Sequence, residues 1–132
     1  MQKVGSNLEV LMTIRGVRGA ITVDADQSDM ILAATQELLT AILRANPSLR
    51  TEDIASAIFT LTDDLVSVHP ALGARQMGWG SVPMICTGEI PVPGSLPRCI
   101  RVLIQWNTSI AQDAVRHVYL REAVNLRPDL SS

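Results

Sequence analysis

The sequence contains almost no lysine. Of its 11 basic residues, Lys3 is the only lysine and the other ten are arginines. An arginine side chain presents a rigid fork that matches carboxylates and phosphates at two points. The 13 acidic residues leave a formal net charge of −2, and we therefore expect no nucleic-acid partner. The arginines bear on function only if several of them converge on one small anion.

Cysteines and long apolar runs are also scarce. Cys86 and Cys99 are too few for a disulfide framework and match no zinc spacing, which favours a reduced, cytoplasmic setting. Charges interrupt every apolar run well short of a membrane span, so we expect no membrane association. The first residues lack the features of a secretory signal. The chain has no P-loop, G-x-G-x-x-G or G-x-S-x-G motif, and we expect no metal site.

The 132 residues are enough for one domain. We interpret residues 1–11 as an N-terminal extension and residues 12–132 as the domain. Residue patterns predict strands at 13–23, 56–62, 82–86 and 99–107, and helices at 29–45, from Pro70, and at about 112–125. Asp26 or Ser28 is the expected N-cap of the first helix. This order predicts an α+β fold, with one small mixed sheet covered by two main helices.

The strand predicted at 99–107 has two unlike faces. Its apolar face is expected to comprise Ile100, Val102, Ile104 and Trp106. The opposite face carries Cys99, Arg101, Leu103 and Gln105. Because this second face is half apolar, we expect it to meet another subunit.

Arg101 stands out because an unpaired guanidinium removed from water costs several kcal/mol. A structural ion pair with an acidic residue is the favoured interpretation of a lone strand arginine, and a ligand contact is the alternative. Arg18 lies between two glycines in RGVRGA, where the backbone can approach a ligand closely or simply form a turn or bulge.

Three further residues carry possible chemistry. Glu89 and Cys86 lie at a predicted strand end, where a carboxylate and a thiol could bind a hydroxyl group or serve no function. Neither histidine is placed to activate Cys86 as a nucleophile. Tyr119 is the only tyrosine, and core packing is its default role.

Taken together, the motifs are more specific than each one alone. They are RGVRGAITV (15–23), TDDL (62–65), PA…R (70–75), WGSVP (79–83), CTGE (86–89), VPGSL (92–96), CIRVL (99–103), HVYLREAV (117–124) and LRPDL (126–130). In order and spacing this set resembles the monofunctional chorismate mutases of the trimeric, mixed α/β class, across nearly all of residues 12–131.

The resemblance implies a homotrimer whose sheets pack around the three-fold axis, with three active sites in the clefts between subunits. It also implies the pericyclic rearrangement of chorismate to prephenate, on the route to phenylalanine and tyrosine. That reaction uses no cofactor.

The resemblance also assigns roles to residues of this chain. Arg101 is expected to reach the ether oxygen and a carboxylate, and Arg18 to hold a carboxylate. Cys86 and Glu89 are expected to grip the ring hydroxyl, and Tyr119 to bind a carboxylate from the neighbouring subunit's side. The remaining expected substrate contacts are Arg75, Arg127, Leu126, His69, Ala71, Met84 and Ile85.

This chain departs from the family pattern at the pocket rim. It has His69 where relatives often carry phenylalanine, and Leu72 where some carry lysine. Two rival interpretations stay open at this point. One is an imine or enamine deaminase of similar trimeric architecture, and the other is a non-catalytic module that binds an aromatic-pathway acid.

Overall fold

One five-stranded mixed sheet organises the chain in the computed structural model, which describes residues 12–129. The strands are β1 (Thr13–Thr22), β2 (Ile54–Leu61), β3 (Met84–Gly88), β4 (Cys99–Thr108) and β5 (Val118–Leu120). The helices are α1 (Ser28–Ala45) and α2 (Pro70–Gln76). Short 3₁₀ segments lie at Thr51–Asp53, Gln112–Ala114 and Arg121–Asn125. The predicted extension, residues 1–11, lies outside the described residues.

The strand order across the sheet is β3-β2-β4-β1-β5. The central strand β4 runs antiparallel to both β1 and β2, and the two edge strands lie parallel to their neighbours. A mixed sheet covered by two helices confirms the predicted fold class. The predicted faces of β4 are also confirmed, because burial alternates along the strand after Cys99.

Helix α1 covers one face of the sheet, as its apolar spacing predicts. Its buried residues recur at helical intervals, and all except Thr35 belong to the main core: Ile31, Ala34, Thr35, Leu38, Leu39 and Ile42. The predicted side-chain cap is wrong, since Gln27 is the N-cap residue and makes no side-chain cap hydrogen bond. Asp26 instead accepts hydrogen bonds from the backbone N–H groups of Val66 and Ser67. This carboxylate therefore ties the start of α1 to the loop before α2.

The segment 112–125 does not form the predicted helix. It contains two 3₁₀ segments flanking β5, which pairs in parallel with Gly19–Ile21 of β1. The backbone groups of β5 thus bond to the outer edge of β1 rather than to their own turn. Helical spacing of apolar residues cannot reveal this competition, because an available sheet edge is a tertiary feature.

The face of the sheet opposite the helices is largely uncovered in the part of the chain described here. It exposes Ile14, Ile85 and Leu103 at 60%, 62% and 39% of their surfaces. No helix within residues 12–129 is long and apolar enough to cross a membrane. The same residues include no group of three His, Cys, Asp or Glu side chains that could hold a metal ion.

Candidate active site

A cavity of about 310 Å³ lies on the uncovered face of the sheet. We call it the central cavity. Its lining residues are Arg18, Gly19, Ile58, Thr60, Glu89, Arg101, Val102, Leu103 and Tyr119. Four residues that the sequence singles out, namely two arginines, one glutamate and the only tyrosine, therefore meet at one place.

Strand register explains this convergence. Thr60, Arg101, Ala20 and Tyr119 form one row across β2, β4, β1 and β5, because each pairs with the next. Paired residues on neighbouring strands lie about 5 Å apart and point to the same face. The Ala20 side chain is a single methyl group, so it leaves room between Arg101 and Tyr119. Arg18 stands in the next row, opposite Leu103.

Glu89 is anchored beside Arg101. Its backbone N–H donates to the Leu61 carbonyl at 2.8 Å, which continues the β2–β3 ladder past the end of β3. Its Oε2 accepts a hydrogen bond from the Thr60 hydroxyl and lies 3.3 Å from Arg101 Nε. The carboxylate is therefore held by two partners on two strands.

Arg101 combines the structural ion pair and the ligand-accessible position that the sequence offered as alternatives. It forms an ion pair with Glu89, yet its side chain remains 44% exposed and lines the central cavity. The guanidinium is thus fixed by its own chain without being sealed from a ligand. A fixed, accessible fork of this kind can bind a carboxylate or a developing negative charge.

Cys99 lies two residues before Arg101, on the same face of β4, and is chemically quiet. It is fully buried in a small cluster with Ala20 and Ala123, against which Tyr119 and Leu126 pack. Burial raises the pKa of the Cys99 thiol to about 11, against an opposing effect of the nearby Arg101 charge. The thiol therefore stays protonated and contributes packing rather than reactivity.

Several residues that the resemblance assigns to the site lie elsewhere within the chain. Cys86 pairs with Phe59, so it faces the helix-covered side and packs against the main core. Ala71 is buried in α2 and Arg75 lies in the last turn of that helix. None of the following residues lines the central cavity: His69, Ala71, Arg75, Met84, Ile85, Cys86, Leu126 and Arg127. Within one chain, Cys86 and Glu89 do not form a pair around a shared ligand.

Tyr119 differs from the prediction in its secondary structure. Tyr119 lies on a strand rather than a helix, and it shares the central cavity with Arg18 and Arg101 of the same chain. Leu126 packs against the buried cluster of Ala20, Cys99 and Ala123. Arg127 forms a two-point contact with Asp129, at 3.0 and 2.8 Å.

Sequence reasoning missed Thr60, the hydrogen-bond donor to Glu89, and Ala20, the small residue in the central row. Thr60 lies outside the motifs, and Ala20 lies within RGVRGAITV without any feature that distinguishes its side chain. Only the pairing of β2, β4 and β1 shows that they flank Arg101.

Comparison with known proteins identifies the family. Residues 14–130 match the family described as chorismate mutase type I. The chain is 58% identical to the chorismate mutase AroH of Thermus thermophilus over 119 residues, which cover 90% of this chain and 98% of that protein. It is 45% identical to the chorismate mutase AroH of Bacillus subtilis over 121 residues, which cover 91% and 94%.

A solved structure agrees with the sequence matches. The fold superposes on a chorismate mutase from Clostridium thermocellum with a TM-score of 0.80 and 46% identity, covering 82% of this chain and 96% of that one. These matches support neither the deaminase nor the non-catalytic alternative. The chain that brings two arginines, a glutamate and a tyrosine into the central cavity thus matches a known enzyme family in both fold and sequence. This chain is a member of the type I chorismate mutases.

Proposed function

We propose that this protein catalyses the rearrangement of chorismate to prephenate in aromatic amino-acid biosynthesis, and that the central cavity is part of its active site. The observation that carries the proposal is the meeting of Arg18, Glu89, Arg101 and Tyr119 in one cavity. Chorismate has two carboxylates and one hydroxyl group. Two guanidinium groups, a phenol and a carboxylate are the complementary set.

Arg101 supplies the main catalytic effect in this proposal. During the rearrangement the ether C–O bond breaks ahead of C–C bond formation, so negative charge grows on the ether oxygen. A guanidinium already fixed beside Glu89 stabilises that charge more in the transition state than in the ground state. No proton is transferred and no nucleophile attacks. Arg18 and Tyr119 hold carboxylates and restrain the flexible ether arm over the ring.

Glu89 accepts a hydrogen bond from the ring hydroxyl and does not act as a general base. Its Oε2 is engaged by the Thr60 hydroxyl and Arg101 Nε, which leaves Oε1 for the substrate. This arrangement orients the carboxylate before the ligand arrives.

A neighbouring subunit completes the site in this proposal. The residues assigned by resemblance divide into two groups, of which only the group containing Arg101 lines the cavity of its own chain. Of the second group, Ala71 and Arg75 lie on α2 and Met84, Ile85 and Cys86 lie on the edge strand β3, where Ile85 is 62% exposed on the uncovered face. A homotrimer that packs this face inward would bring the exposed Ile85, at the β3 edge of one chain, toward the cavity of the next. We place this trimer in the cytoplasm, in keeping with its two free cysteines.

The direct test is the loss of chorismate absorbance when purified protein is added. We expect saturable turnover to prephenate, and a solution mass of three chains. The protein should not release ammonia from imino acids, and binding of chorismate without turnover would refute the proposed activity. A single chain that retains full activity would refute the shared site while leaving the chemistry of Arg101 intact.

A further inference from the structure

Two side chains continue the sheet along the outer edge of β1. The Gln112 amide bonds to both backbone groups of Gly16, accepting from its N–H at 2.9 Å and donating to its carbonyl at 2.7 Å. Two residues further along, His117 Nδ1 accepts the N–H of Arg18 at 3.0 Å. From Gly19 onward, β5 takes over the same edge. The backbone N–H of Arg18 is thus bonded to one imidazole nitrogen, at the point where the β1–β5 pairing begins.

This hydrogen bond is compatible with only one protonation state of His117. An Nδ1 atom that accepts an N–H carries no proton, so the imidazole must be neutral with its proton on Nε2. Burial, together with the positive charges of Arg18 and Arg127, lowers the pKa of His117 below its usual 6.5. The surroundings therefore favour the same neutral form that the hydrogen bond requires.

We propose that His117 is a positioning residue for the substrate-binding arginine Arg18, and that its protonation weakens substrate binding. The inference rests on the proposed role of Arg18 in holding a substrate carboxylate. A protonated Nδ1 would turn an N–H toward the N–H of Arg18, and the contact would become repulsive. The Arg18 N–H would then lose its partner at the start of the β1–β5 pairing, while the pairing of β1 with β4 remains.

Charged groups from several elements face His117, and they set the sign of the effect. Arg18 lies on β1, and Arg127 and Asp129 lie in the C-terminal segment. Asp113, Arg116, Tyr119 and Asp129 line the same 710 Å³ cavity as His117, to which α1 contributes only the uncharged Ala45. Because the folded protein binds this proton less readily than the unfolded chain does, acidification below 6.5 opposes the anchored state.

Two substitutions, each of which retains the position of one imidazole nitrogen, distinguish a positioning role of His117 from a packing role. In His117→Asn the side-chain oxygen can occupy the place of Nδ1 and accept the Arg18 N–H, whereas the amide of His117→Gln reaches the place of Nε2. Steady-state kinetics with chorismate from about pH 5 to about pH 8 provide the readout, since both substrate carboxylates are ionised throughout.

Once His117 is protonated, we expect the wild-type KM to be about tenfold higher, with kcat changed less than about threefold, the effect of losing one hydrogen bond. His117→Asn should keep KM within about threefold of the wild type and remove its pH dependence. His117→Gln should show the raised KM at all pH values. Gln112→Ala removes the neighbouring edge contact and is the matched control, with KM within about twofold of the wild type.

Three results would overturn the positioning role. They are a flat wild-type KM, an acid-dependent KM that persists in His117→Asn, and equal effects of His117→Gln and Gln112→Ala. Hydrogen exchange of the Arg18 amide gives a readout that does not need turnover. Exchange should accelerate in acid and in His117→Gln but not in His117→Asn. If the wild type fails to convert chorismate, the proposed function is refuted, and amide exchange alone decides whether His117 holds Arg18.

Discussion

Replacing Arg101 with alanine tests the central step of the proposed mechanism. The substitution removes the guanidinium from the central cavity and leaves the row of Thr60, Ala20 and Tyr119 in place. One pre-positioned donor to a developing oxyanion is worth about 3–4 kcal/mol, so we expect kcat to fall about 10²–10³-fold. Arg101→Lys should remain poor, because an ammonium group lacks the two-point fork.

The ion pair with Glu89 does not account for a loss of this size. The Arg101 side chain is 44% exposed and that of Glu89 is 22% exposed, and such pairs contribute at most about 1 kcal/mol to stability. The folded structure should therefore survive the substitution. Arg50→Ala is the matched control, since Arg50 Nε lies at the same distance, 3.3 Å, from Asp53 Oδ2 and Arg50 does not line the central cavity.

The assay follows chorismate absorbance with each purified variant, alongside urea unfolding. We expect the Arg50→Ala variant to retain the wild-type kcat, and Arg101→Ala to retain most of the stability. Near-normal kcat in Arg101→Ala would refute the electrostatic mechanism. A kcat loss accompanied by an equal loss in the control would attribute the effect to surface charge instead.

Three further predictions concern the framework around the site. Thr60→Val removes the hydroxyl that holds Glu89 and should lower kcat/KM about tenfold, as measured with chorismate, without changing the unfolding midpoint. Gly19→Ala would place its Cβ 2.7 Å from Ile42 Cδ1, so urea unfolding should show a loss of about 1–3 kcal/mol. Hydrogen bonds from Ser67 and Val66 lower the pKa of Asp26 below 3.8, so its contribution to stability is present above that pH and is lost in stronger acid. In acid titrations followed by circular dichroism, Asp26→Asn should flatten this final decline; an unchanged profile would contradict the assignment.

Local patterns in the sequence were sufficient for much of the fold. The helical spacing from Ile31 to Ile42 describes a face that the sheet buries, and α1 forms where that spacing predicts it. The alternation along β4 likewise separates the buried row from the face of Arg101. Both patterns work because the periods of a helix and a strand are set by the backbone itself. The motif set also identified the family that the comparisons confirm.

The C-terminal segment shows where local sequence patterns fail to predict the structure. Its helix was predicted from spacing, but the residues around Tyr119 gain backbone partners from β1 that no local pattern reveals. The same edge recruits Gln112 and His117, whose contacts span 96 and 99 positions along the chain. Contacts of this range depend on which edge the sheet leaves open.

The sequence by itself determined the arginine bias, the alternating faces, the main helix and the family. The tertiary structure alone decided which side chains share the central cavity. Arg101 meets Thr60 and Ala20 because of strand register, while the parallel register of β3 turns Cys86 to the helix side. Register is a pairing between distant segments, and a shift of one residue would reverse every side chain's face. The sequence therefore supplies the functional side chains, but the alignment of the strands decides which of them meet in one cavity.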